Sequence, residues 1–299
     1  MNHPRRPRRP APTTRAAGSA KRAADDGRGA RGVRDVAPDA GRNLRRGASR
    51  GPSEGGVGGE QVEGRRAVRE LLAAGRRRVK VVYLSASAEP APIIDEIVEL
   101  AGPALRVVPV EKLAALARSE RPQGVIATST PLQPADLDEL LRDPRAFIVA
   151  LDGVADPRNL GAVLRSAVAF GATGVVLPRH RGALVTPSVT KAAAGSIEHI
   201  AIASVSGIAT ALERASRAGV WTVGLAVDGA TDITDLTVAD SPVILVIGAE
   251  DRGLSRLVEA RCDVMARIEI APAVDSLNAS AAAAIACHEI ARRRRSAAR

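Results

Sequence analysis

The sequence predicts an α/β protein with a mostly parallel main sheet, preceded by a small α/β domain and a disordered basic arm. Three observations carry this. From residue 147 onward, short apolar runs alternate with stretches of helical spacing, as strands and helices do in turn. The apolar runs are continuous, as expected of strands covered on both faces. A proline-rich stretch at 131–145, with Pro131, Pro134 and Pro144, separates this part from a shorter alternation at 60–130.

The elements follow in order. Residues 1–57 are rich in Arg, Pro, Gly, Ala and Ser without an apolar period, so a disordered arm is expected there. At 60–74 Val62, Val68, Leu71 and Leu72 suggest a helix ended by Gly75. Strands are expected at 79–84, 106–110 and 124–128, and helices at 92–100 and 111–117. These residues, 58–130, make a domain of their own, and 131–145 reads as a linker. In the remaining domain, 146–299, strands are expected at 147–151, 174–177, 199–203, 221–227, 243–247 and 264–270. Helices fall between them at 160–170, 187–195, 208–218 and 254–260, and an alanine-rich helix ends the chain.

Composition narrows the function. Of the 299 residues only Tyr83, Phe147, Phe170 and Trp221 are aromatic, so recognition of RNA by stacking on an aromatic sheet is excluded. The net charge of +10 resides almost wholly in the first 55 residues, where it suits a salt-sensitive tether to phosphate backbones or a solubilising extension. Arg65, Arg66, Arg69, Arg76, Arg77 and Arg78 form a second cluster, either a solvated face or a backbone-binding patch. Cys262 and Cys287 lack metal-ligand spacing and read as buried reduced thiols. No apolar run reaches the ~18 residues of a membrane span, and a cytoplasmic location is the expectation. His3, His180, His199 and His288 are scattered, with no hydrolase or metal motif beside them.

Three polar loops leave strand ends in the larger domain, where such folds bind ligands. The first, 152–161, leads into a helix on which Leu160, Leu164, Ala167 and Val168 form one stripe. Arg165 lies about 140° from that stripe and is free to face a ligand. Asn159 is either a site residue or the cap of this helix. The second loop, 248–253, carries Glu250 between glycines that permit close backbone approach, without the G-x-G-x-x-G pattern of a dinucleotide site. The third supplies Ser276, Asn278 and Ser280, at least one of which should cap the last helix.

Together, DPRNLGAVLRSAVAFG (156–171), LVIGAEDRGL (245–254) and SLNAS (276–280) resemble, in order and spacing, the motifs of the SpoU (TrmH-like) branch of the SPOUT RNA ribose 2′-O-methyltransferases. The earlier domain, with EGRRAVRELL (63–72) and QGVIA (123–127), is similar to the family's L30e-like substrate-binding domain. The nearest likeness is to enzymes that methylate a guanosine ribose of 23S ribosomal RNA, with transfer RNA as the other target. The resemblance implies a trefoil-knotted domain, a homodimer, and S-adenosylmethionine bound by the loops at Gly248, Ile268 and Leu277. It also implies Asn159, Arg165, Glu250, Ser276 and Asn278 as catalytic residues, with no metal. The chain departs from the family pattern at Glu269, which follows Ile268 where proline is frequent, and at Pro122, where histidine is frequent. A non-catalytic RNA-binding factor that kept the fold is the competing reading.

Overall fold

The computed structural model describes residues 57–179 and 185–297. Residues 1–56 of the expected arm, with His3, and His180 lie outside the described residues.

The smaller domain runs β1 (Gln61–Glu63), α1 (Arg65–Ala74), β2 (Val79–Ser85), α2 (Pro92–Ala101), β3 (Leu105–Val108), α3 (Val110–Leu116) and β4 (Val125–Ser129). Its sheet has the order β1-β4-β2-β3, parallel only between β2 and β3. Leu71, Val82, Ile97 and Val125 fill the core between this sheet and the two long helices. The expected helix at 60–74 is thus in part a strand. Gly64 takes φ +95°, breaking the helix before Arg65, and residues 61–63 pair with β4 instead.

The larger domain continues with α4 (Leu137–Arg142), β5 (Phe147–Asp152), α5 (Pro157–Ala169), β6 (Gly174–Pro178), α6 (Pro187–Ala192), β7 (Ala201–Val205), α7 (Ile208–Arg217) and β8 (Trp221–Leu225). It ends with β9 (Thr231–Asp232), β10 (Val243–Gly248), α8 (Arg256–Glu259), β11 (Val264–Arg267) and α9 (Ala279–Ala297). Seven strands form one sheet of order β7-β6-β5-β10-β8-β11-β9, every neighbouring pair parallel. Within β5, Phe147, Val149 and Leu151 face the core shared with α5 and α9, while Ile148 and Ala150 face the one shared with α4 and α7. That two-sided burial explains why the central strands lack polar positions. The region expected to be a linker contains α4. Asp136 caps it, accepting from Asp138 N at 2.6 Å, and Leu137 and Leu141 bury into the second core.

Two arginine contacts bind distant parts of the chain. Arg294 on α9 donates to the carbonyls of Ala239, Arg145, Ala146 and Ser241 at 2.6–2.8 Å and lies 5.2 Å from the Phe147 ring centre. Arg77, just past α1, pairs bidentately with Glu198 of the larger domain, and both side chains are almost wholly buried. Its Nη1 also donates to Gly59 O at 3.1 Å, on the segment leading into β1, and to Thr130 O at 3.4 Å, where the chain leaves β4 for the larger domain. Part of the arginine cluster expected at the surface is therefore an interior clamp.

His199, expected in a strand, sits in the 3-10 turn Ser196–His199 and bonds Glu70 of α1 at 2.7 Å. His288 packs edge-on against Phe170. Cys287 is buried, which pushes its thiol up to about 12, and Cys262 is half-buried. Among the described residues no helix is long and apolar enough to cross a membrane, and no group of His, Cys, Asp or Glu is placed to hold a metal.

Candidate active site

The chain runs outward from β5 through β6 to β7, then crosses to β8 and the edge strand β9 in the other half of the sheet before β10 enters between β5 and β8. A crevice forms at such a reversal, at the carboxyl ends of the strands. The loops after β5 and β10 therefore lie side by side. Ser255 N, beyond the second loop, donates to Asp152 Oδ2 at 2.7 Å, and a Cβ on Gly153 would lie 2.7 Å from the Arg252 guanidinium.

The first loop ends at Asp156, whose carboxylate accepts from Arg158 N at 2.8 Å and caps α5, with Pro157 in the first turn. Asn159 is thus not the cap. It lies buried in the first turn, its side chain free to point across to Glu250.

The second loop is a tight turn. Ala249 N donates to Gly253 O at 3.0 Å and Gly253 N to Ala249 O at 2.9 Å. A Cβ at Gly248 would lie 2.3 Å from the Gly253 carbonyl carbon and 2.5 Å from Leu254 N, so only glycine allows this closure. The turn projects Glu250 toward both other loops.

The third loop ends at Asn278, where α9 begins. Its Oδ1 accepts from Ser280 N at 2.8 Å and Ser280 Oγ at 2.6 Å, so Asn278 is the cap. Its Nδ2 donates to Glu250 Oε1 at 2.7 Å and Asn159 Oδ1 at 3.2 Å, while Asn159 Nδ2 also donates to Glu250 Oε1. An ionised carboxylate can only accept, so it orients both amides. Asn159, Glu250 and Asn278 form a closed ring, one residue from each loop.

Beside the ring lies a cavity of about 370 Å³ at the ends of β8, β10 and β11. Leu225, Ile247, Ile268 and Leu277 give it apolar walls, and Gly248, Glu250 and Ser276 also line it. All three residues expected to hold a cofactor, Gly248, Ile268 and Leu277, are here. An apolar slot with a few converging polar groups suits a partly apolar nucleoside-type ligand. The fit is consistent with S-adenosylmethionine. Gly248 allows the tight turn that forms one side of the cavity, and Ser276 supplies a hydroxyl at the wall.

Sequence reasoning missed the wall formed after β8, from Leu225 to Asp228. A Cβ at Gly229 would lie 2.4 Å from the Ala266 carbonyl carbon, so this loop too needs glycine where it crosses β11. The Asp228-Gly229 pair after an apolar run was the available signal.

Arg165 is not at this cavity. It lies on the exposed side of α5, six residues beyond Asn159, about 9 Å along the helix. There it lines a second hollow, about 470 Å³, with Arg66 and Arg69 of α1 and Ser196 and His199 of the 3-10 turn. Burial pushes the Glu70 carboxyl in this hollow upward, but hydrogen bonds from His199 and Arg69 prevail and hold it below the ordinary carboxylate value.

Residues 146–288 match the SpoU rRNA Methylase family, and residues 61–135 match the RNA 2′-O ribose methyltransferase substrate-binding family. A putative TrmH family tRNA/rRNA methyltransferase of Staphylococcus haemolyticus is 35% identical over 240 residues, covering 78% of this chain and 95% of that protein. An uncharacterized tRNA/rRNA methyltransferase of Mycolicibacterium vanbaalenii is 38% identical over 246 residues, 80% of this chain and 78% of that one. Among solved structures, the SpoU methyltransferase AviRb of Streptomyces viridochromogenes, in complex with AdoMet, superposes with a TM-score of 0.67 at 25% identity, over 79% of this chain and 90% of that one. An AdoMet-bound rRNA methyltransferase of Sinorhizobium meliloti gives 0.64 at 26% identity, over 78% and 87%.

Proposed function

The chain belongs to the SpoU rRNA methylase family, and from that premise we propose that it methylates a ribose 2′-hydroxyl in RNA, first of all a guanosine of 23S ribosomal RNA. S-adenosylmethionine, the cofactor of the family, supplies when bound a methyl group on a positively charged sulfonium. The observation that carries the reading is the ring of Asn159, Glu250 and Asn278 at the mouth of an apolar cavity.

The residues act mainly by placement. A ribose hydroxyl is a weak nucleophile, so holding it in line for attack contributes much of the rate. Glu250 locks the two amides, and the locked ring keeps the three loops in one arrangement around the cavity. Ser276 and Leu277 shape the wall facing the substrate. Arg165 stands away from the cavity of its own copy and acts at the cavity of a second copy, where it clamps the phosphate beside the reacting ribose and its positive charge offsets the charge that develops as the hydroxyl loses its proton. Arginine stays protonated near neutral pH, so it serves as an electrostatic clamp and not as the base.

A second copy of the chain completes the unit. Val227, Leu257 and Val274, on segments that build the cavity, are large apolar side chains left half or more exposed, as expected of a surface that a homodimer covers. The trefoil crossing implied by the resemblance belongs to the same loops. The cytoplasm, where ribosomal RNA is assembled, is the proposed location.

Mapping ribose methylation across ribosomal and transfer RNA in a deletion strain tests the target. One 2′-O-methylguanosine of 23S RNA should vanish, returning with the wild-type protein and not with Arg165→Ala. A missing mark in transfer RNA would replace the target. An unchanged map would remove the proposal and favour a non-catalytic RNA-binding factor.

A further inference from the structure

The hollow beside Arg165 is built from both domains. Arg66, Arg69 and Glu70 come from α1, Glu96 from α2, Arg165 from α5, and Ser196 and His199 from the turn before β7. Both carboxylates are already engaged. Glu96 accepts from Arg69 Nε at 2.9 Å, and Glu70 from Arg69 Nη1 and His199 Nε2, each at 2.7 Å. Arg66 and Arg165 are exposed and, among the described residues, neither hydrogen-bonded nor ion-paired. The Ser196 hydroxyl likewise bonds no other described residue.

The walls are close-packed. Gly195 takes φ +81°, and a Cβ there would lie 2.6 Å from Glu70 Cβ and 3.1 Å from Ala67 Cα. Ala194, beside it, also sits in the left-handed region, at φ +51°. The buried Arg77–Glu198 pair adjoins the same turn. The helices that carry Arg66 and Arg165 are therefore fixed on opposite domains across a concave surface. Such a surface concentrates their field, and a guanidinium fork matches phosphate oxygens.

We propose that this hollow seats one phosphodiester of the substrate RNA, gripped by Arg66 of the smaller domain and Arg165 of the larger, with Ser196 as a further donor. The proposal rests on the reading of the chain as an RNA methyltransferase. It makes Arg66 a positioning residue that sets the strand against α5, whose first turn carries Asn159. Arg69 and His199 occupy the hollow's two carboxylates with hydrogen bonds, so an anion there faces the guanidinium groups of Arg66 and Arg165.

The test is binding of substrate ribosomal RNA fragments to the full chain at several salt concentrations, with calorimetry of S-adenosylmethionine as the control. Arg66→Gln should weaken RNA binding about tenfold near 0.1 M salt and reduce the salt slope by about one counterion. Arg66→Lys should keep most of the slope, and both variants should bind S-adenosylmethionine as the wild type does. Because one phosphate is shared, Arg66→Gln combined with Arg165→Gln should lose less affinity than the product of the separate losses. Inorganic phosphate, at constant ionic strength, should compete no better than chloride.

Wild-type affinity and slope in Arg66→Gln, or losses that simply multiply, would overturn the shared seat. Saturable displacement of RNA by inorganic phosphate would assign it to a free phosphate compound instead. The two readings fail separately. An unchanged Arg66→Gln in a protein that still methylates RNA removes only the seat, whereas Arg66-dependent RNA binding without methyl transfer removes only the catalytic reading.

Discussion

Replacing Arg77 by methionine should show how firmly the RNA-binding domain is held against the catalytic one. The substitution keeps chain length and deletes the charge. Glu198 would then be left with a fully buried carboxylate and no cation, and its partner's bonds at Nε and Nη2 would be gone. Breaking a buried pair by removing one partner costs about 3–5 kcal/mol. The bonds to Gly59 O and Thr130 O add little, because both residues reach solvent in part. With a urea slope of ~3 kcal/mol/M, a loss of ~4 kcal/mol moves the unfolding midpoint down by ~1.3 M. Urea titration followed by circular dichroism measures this directly. Removing both charges, as Arg77→Met with Glu198→Leu, should bring stability back to within ~2 kcal/mol of the wild type, since an apolar pair incurs no charge desolvation. A single variant that loses under ~1 kcal/mol, or a double variant no better than the single, would refute the idea that the pair clamps the domains.

Three further outcomes are expected. Gly248→Ala should abolish detectable S-adenosylmethionine binding in calorimetry, because its Cβ would collide with backbone at Gly253 and Leu254; wild-type affinity would contradict the tight-turn account. Asn278→Ala should cost ~1 kcal/mol as a lost helix cap and reduce turnover more than tenfold, while Ser280→Ala, which keeps the bond to Glu250, should leave turnover near wild type. Equal turnover in the two would show that the bond from Asn278 to Glu250 is not needed. Cys287 should resist thiol reagents at pH 8 in the folded protein and react fully in denaturant, because burial keeps its thiol protonated; ready labelling of the folded chain would contradict that burial.

The strands most legible in the sequence are those buried on both faces, β5 and β10, whose continuous apolar runs have no competing explanation. The polar loops after them were legible for the same reason, whereas the grouping of Asn159, Glu250 and Asn278 in one site came from the resemblance of the three motifs and not from the apolar runs. Other features were hidden by ambiguity of pattern. Val62 shares helical spacing with Val68, so a three-residue edge strand read as the start of α1. Leu137 and Leu141 sit among prolines and charges, which masked α4. Arg77 belongs to a run of arginines that reads as surface, and only its partner 121 residues away makes its burial intelligible. Spacing placed Arg165 correctly on the open face of α5, but periodicity cannot say which cavity that face overlooks.

Methyl transfer to a ribose oxygen is the central step, and the product nucleoside reports it most directly. Purified protein should be incubated with methyl-labelled S-adenosylmethionine and ribosomal RNA fragments, and the RNA digested to nucleosides. Label recovered as a 2′-O-methylnucleoside, and, in a second portion hydrolysed by alkali instead, in a dinucleotide that alkali fails to cleave, is the predicted result, and it should disappear with Arg165→Ala. Label on a base, or in RNA that alkali cleaves completely, would contradict it.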